Sequence, residues 1–188
     1  MPIVINFVLF QAGWFAAVFG AAGNIEWLAV SAIAVIIFMH MILVKQRWNE
    51  LSIVIGAGIV GTIIDSTLIS QGVFSPANPG NSLTPGASLA PLWLIALWML
   101  FAITINHSLG WLRRNFWLQP LAGFVFAPMA YYAGHKLGAL NIDGGDLPYS
   151  GLLTIGICWM FVIPLLFWLA DTINRQASSA MSYDSDLR

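Results

Sequence analysis

The sequence predicts an all-α protein, a polytopic transmembrane bundle of six spans with both termini cytoplasmic. Three observations carry this. Hydrophobic residues make up 59% of the 188 positions and charged ones only 8%, against about 25% charged in an ordinary soluble domain. The apolar residues fall into six runs of the length that a hydrocarbon core of about 30 Å requires at about 1.5 Å per residue. The cations gather in three segments that alternate with the runs. A net charge of −1 leaves no basic face for nucleic acid, and the single cysteine, Cys158, allows no internal disulfide or thiolate cluster.

The first run, 3–21, has no Lys or Arg before it and is interrupted by Asn6 and Gln11, so it is expected to be a retained span, not a cleaved signal. Gly13, Ala17 and Ala21 recur on it at four-residue spacing, which permits close helix approach. The second and third spans are predicted at 27–44 and 50–71. On the third, Gly58, Gly61, Asp65 and Gly72 share a face, which aims the carboxyl at a partner helix. A proline-rich loop at 72–89 leads to the fourth span, 90–112, where Pro91 occupies a harmless first-turn position. The fifth, 117–137, contains Pro120 and Pro128, and the sixth, 150–170, contains Pro164; each removes a backbone donor and predicts a kink. Residues 138–149, with Asp143, Gly144, Gly145 and Asp146, read as a second loop. Residues 1–174 thus form one membrane domain, followed by a polar, mobile tail, 175–188.

Lys45 and Arg47, Arg113 and Arg114, and Arg175 and Arg188 lie on one side, with Lys136 alone on the other. The positive-inside rule makes the richer side cytoplasmic. Trp27, Trp48, Trp93, Trp111, Trp117 and Trp168 fall near span ends, as interfacial anchors do, and Trp14, Trp98 and Trp159 fall deeper. No inverted repeat is detectable between the two halves.

Ionisable and amide side chains at membrane depth are costly, so each requires a partner or a purpose. Counted from the span ends, Asp65 and Tyr131 lie at one level, roughly 9 Å below the outer surface, with Gln71 and His135 just above. A second group lies within roughly 12 Å of the cytoplasmic surface: Asn6, Gln11, His40, Glu50, Asn106, His107 and Ser108. Successive helical side chains diverge by about 100°, so at most two of Asn106, His107 and Ser108 are expected to face one pocket, with His107 the favoured one. His107 and Glu50 are the candidate catalytic pair, as general acid or base and its assistant. Asn6, Gln11, His40, Asp65, Asn106, Tyr131 and His135 are candidates for binding or proton relay. Each also has a plain structural use: Glu50 as a boundary carboxylate near Arg47, Asn6 and Gln11 as interhelical glue, His40 and His135 as wet interfacial side chains. No HExxH, GxSxG, CxxC, phosphate-loop or dinucleotide motif occurs. No cofactor and no metal are expected; His40, His107 and Glu50 are the only histidine and carboxylate set at one level.

The run Asn6, Phe10, Gln11 and Trp14, with Glu50–Leu51, Asp65, Pro91, Trp93, Trp98, Asn106–His107–Ser108–Leu109, Pro128 and Tyr131, resembles an uncharacterised family of small bacterial inner-membrane proteins of unknown function, its NHSL stretch being the most specific part. The resemblance covers nearly the whole membrane body. It implies a bacterial inner-membrane location. A lipid connection is implied only by association, through neighbouring genes resembling cyclopropane-fatty-acid synthases. It supplies no catalytic residue.

Three functions follow as expectations. The first is a protein that binds, moves or acts on a membrane lipid, with a head-group site around His107, Glu50 and Gln11. The second is a small proton-coupled transporter with stations at Asp65 and Glu50, about 22 Å apart over fifteen residues of helix. The third is a non-catalytic subunit that docks partner membrane proteins through its small-residue faces. The oligomeric state is left open.

Overall fold

Helices α1 (Ile3–Ala22), α2 (Glu26–Leu43) and α3 (Arg47–Ser70) follow one another through turns of three residues each. The computed structural model describes residues 2–78, 89–142 and 149–186; the prolines at 79 and 85 and the two aspartates of the second loop lie outside them. The chain continues with strand β1 (Phe74–Pro76), α4 (Leu92–Ile105), a 3₁₀ turn (Gly110–Arg114), α5 (Leu118–Lys136), β2 (Leu140–Ile142) and α6 (Tyr149–Asp186). Among the described residues the protein is all-α apart from one short antiparallel ribbon. Among the described residues, α1, α2, α3 and the Tyr149–Ala177 part of α6 are long and apolar enough to cross a membrane.

The fourth helix departs most from expectation. The apolar run 90–112 predicts about 35 Å of helix, whereas α4 has only 14 residues, or about 21 Å. It ends at Ile105, and the chain turns where Leu109 N–H reaches back to the Thr104 carbonyl. Asn6 secures that end: its Nδ2 donates to the Ile103 carbonyl at 2.9 Å and its Oδ1 accepts from Ser108 N–H at 3.2 Å. The other end is capped by Glu26, whose Oε1 accepts from Trp93 N–H at 3.0 Å, a carboxylate placed where first-turn amides lack partners.

Because α4 is apolar on every side, it belongs at the centre. It packs against α1, α2 and α3, while α5 packs chiefly on α6, and α6 joins the pair to α3 and α4. The predicted small-residue face of α1, Gly13, Ala17 and Ala21, is buried. On α3, Gly58, Gly61 and Asp65 are buried on a common face, but Gly72 lies beyond the helix, in a turn with φ +73°. Gly123 of α5 meets the Trp159 backbone of α6 so closely that a Cβ would overlap the carbonyl. Pro128 interrupts α5 and frees the carbonyl four residues earlier; that carbonyl, on Phe124, lies against Gly156 of α6. Pro120 falls in the first turn, where its missing donor costs nothing.

The segments that follow α3 and α5 meet. β1 and β2 pair antiparallel with Phe74 opposite Ile142 and Pro76 opposite Leu140, placing the ends of α3 and α5 on one face. Trp27, Trp48, Trp111, Trp117 and Trp168 are exposed, whereas Trp93, expected at an interface, is buried along with Trp98 and Trp159. The polar residues after Asn174, expected as a loose tail, continue α6 as helix to Asp186.

Candidate functional site

Among the described residues, two polar clusters and a cleft lie inside the bundle. In the cluster near the C-terminal end of α3, Asp65 is fully buried. Gly61, one turn before it, leaves room for the Trp98 indole, which a Cβ would overlap. That indole donates to Asp65 Oδ2 at 2.6 Å, and the Tyr131 hydroxyl donates to Oδ1 at 2.7 Å. Trp98 stacks on Trp159 with ring centroids 4.5 Å apart, and Tyr131 meets Phe74 edge-on at 5.3 Å. Asp65 thus ties α3 to α4 and α5 through two neutral donors. His135 stands apart, its Nδ1 3.3 Å from the Leu140 carbonyl of β2, and Gln71 is exposed past the end of α3.

The cluster at the N-terminal end of α3 centres on Glu50, only 6% exposed. The fully buried His40 of α2 places Nε2 3.3 Å from Glu50 Oε2. His107 places Nε2 3.4 Å from Oε1, and Asn106 donates from Nδ2 to the same oxygen at 3.0 Å. The two imidazoles lie 4.9 Å apart, edge to face. Asn106 Oδ1 in turn accepts from Arg113 Nη2 at 2.8 Å and from Asn174 Nδ2 at 3.3 Å. Arg113 pairs with Asp171 of α6 at 2.7 Å and lies over the Phe167 ring. Glu50 therefore looks inward, away from the exposed Arg47. Asn106 and His107 both reach it because the helix has already ended at Ile105, so the angular rule for successive helical residues does not apply to them. Ser108 contributes its backbone N–H to Asn6 instead.

The cleft, about 630 Å³, runs between α1 and α5 with α4 and α6 as its floor. Its walls include Phe10, Trp14, Leu97, Phe101, Ala130 and Ile163, and its inner end carries Gln11, Thr104 and Ser108. Phe7, Trp111, Phe126 and Met129 line it while remaining more than half exposed, so it opens sideways through the apolar flank of the bundle. Neither His107 nor Glu50 lines it. Of the sequence candidates, Gln11 and Tyr131 reach the cleft, Asn6 clamps α4, and His40, Glu50, Asn106 and His107 converge behind it. Trp98 and Arg113, which complete the two clusters, had no signal in the sequence beyond a deep tryptophan and a loop cation.

Helices able to cross a bilayer, an apolar exterior and buried polar clusters define a helical membrane protein. Residues 3–165 match the family described as "Protein of unknown function (DUF2878)". The chain belongs to that family. No curated protein and no solved structure matches it.

Proposed function

We propose that the protein binds a membrane lipid, taking an acyl chain sideways into the cleft between α1 and α5 with the lipid's polar portion at Gln11, Thr104 and Ser108. One observation carries this reading: a cleft of about 630 Å³, within the roughly 300–1,000 Å³ of small-molecule sites, is apolar along its length, polar at one end and open on an exposed apolar flank of the bundle. In this reading all six helices cross a bacterial inner membrane. Lys45, Arg47, Arg113, Arg114 and Arg175 mark the cytoplasmic side, together with both termini; the ribbon of the two other loops is external. Because His107 and Glu50 stand off the cleft wall, the role is binding or transfer, with no acid–base chemistry assigned to them.

The carrier reading is less favoured. Between Glu50 and Asp65 the buried positions of α3 are Ile53, Val54, Ala57, Gly58 and Gly61, none of which can pass a proton.

The test is photo-crosslinking in native membranes with a fatty acid bearing a diazirine near its tail, comparing wild type with Ala130→Trp. Ala130 is an exposed cleft-wall residue, so the larger side chain fills the cleft without entering the core. Labelling mapped to α1, α4 and α5 cleft residues and reduced several-fold by Ala130→Trp supports the reading. Equal labelling of both proteins overturns it.

A further inference from the structure

We infer that His40, Glu50 and His107 form a binding site for a divalent transition-metal ion of the zinc type, with Asn106 positioning the carboxylate. The three residues come from α2, α3 and the turn after α4, and one potential ligand atom from each lies within 4.8 Å of the others. A tetrahedral ion with bonds of about 2.0–2.1 Å holds its ligand atoms about 3.4 Å apart. His40 Nε2 lies 3.3 Å from Glu50 Oε2 and His107 Nε2 lies 3.4 Å from Oε1, so each imidazole is already at that spacing from one oxygen of the carboxylate, and a turn of the carboxyl is needed to present a single oxygen to both. Two imidazoles and a carboxylate are ligands that zinc accepts readily, and three protein ligands leave a fourth position open.

Two further features point to a ligand. His107 Nε2 is buried and near Glu50 Oε1, yet it is not aligned to hydrogen-bond with it; it has no hydrogen-bond partner. Glu50, for its part, is a nearly buried carboxylate that pairs with no Lys or Arg among the described residues; Arg113 bonds to Asn106 and pairs with Asp171 instead. A buried carboxylate needs compensating charge, and a divalent ion between the two imidazoles supplies it. The Asn106 amide, donating to Glu50 Oε1 at 3.0 Å, is the kind of outer contact that orients a metal ligand. A proton shared between the imidazoles and the carboxylate is the competing explanation for the same geometry.

The experiment uses the full chain purified in mild detergent, stripped with chelator, incubated with Zn²⁺ or Co²⁺, dialysed and analysed by elemental mass spectrometry. Visible absorption of the Co²⁺ form reports the coordination. The expected result is about one ion per chain, a Co²⁺ spectrum of low-coordinate type, and loss of both in His107→Ala, whose side chain is partly exposed. Asn106→Ala is expected to weaken binding about 10–100-fold while keeping the stoichiometry at saturation. Ala130→Trp, which fills the cleft, retains the ion, so failure of the lipid reading and failure of the metal site are separable. Wild type that stays ion-free after loading overturns the site in favour of the shared proton, as does His107→Ala that binds as wild type does.

Discussion

Tyr131→Phe removes one oxygen and changes nothing else in volume, which makes it the sharpest probe of the Asp65 cluster. The hydroxyl is 2.7 Å from Asp65 Oδ1, and Asp65 is fully buried, so water cannot replace the lost donor. Leaving such an acceptor unmet costs about 1–3 kcal/mol in a soluble core, while interhelical hydrogen bonds in membranes average about 0.6 and reach about 1.7 kcal/mol. The remaining Trp98 bond at 2.6 Å keeps the carboxyl partly satisfied, so a loss of about 1–2 kcal/mol is expected. At about 2–4 °C per kcal/mol for a chain of this size, Tm in detergent falls by about 2–8 °C. Reversible unfolding in mixed micelles measures the free energy directly, and a cycle with Asp65→Asn isolates the pair. Tyr132→Phe, on the neighbouring half-buried position, is the control. If Tyr131→Phe unfolds as wild type does, or if the two tyrosines behave alike, the hydroxyl does not tie α5 to α3.

Asn6→Ala leaves the Ile103 carbonyl and the Ser108 N–H without their partner at the end of α4. A loss of about 1–3 kcal/mol, with faster hydrogen exchange confined to residues 103–109, is the expected outcome, and uniform exchange along the chain would refute the clamp. Gly123→Leu places a side chain against the Trp159 backbone. Because neither backbone can yield, this variant is expected to fail to accumulate in membranes, whereas Gly72→Ala, whose added methyl meets nothing within 4 Å, accumulates at or near wild-type level with only turn strain. Equal yields of the two would refute the close α5–α6 contact.

Most of the helices are legible in the sequence because the bilayer sets their length and the apolar runs meet it. The fourth shows why run length alone is insufficient. Hydrophobicity continues through Leu109, Trp111 and Leu112, yet the helix stops at Ile105, since an asparagine 97 positions away takes up the freed carbonyl. A partner so distant leaves no local trace. The same turn explains why Asn106 and His107 could not be read as joint partners of Glu50: the periodicity that separates them holds only on a continuous helix. Depth counting did place Asp65 and Tyr131 at one level, because rise per residue is fixed by backbone geometry. It could not supply Trp98, which approaches through the space that Gly61 leaves. The cleft has no sequence signature either, being a gap between α1 and α5, two helices that pack chiefly on other partners.

The α5–α6 pair is fastened to the rest of the bundle at both ends: at one by the β1–β2 ribbon, at the other by Arg113 with Asp171 and Asn106 with Asn174. Midway it rests on the Trp98–Trp159 stack. A beam held at both ends and propped at its centre resists swinging. On the proposed lipid reading, the gap beside it is expected to sort a guest by girth, admitting a slim straight chain more readily than a branched or ring-bearing one.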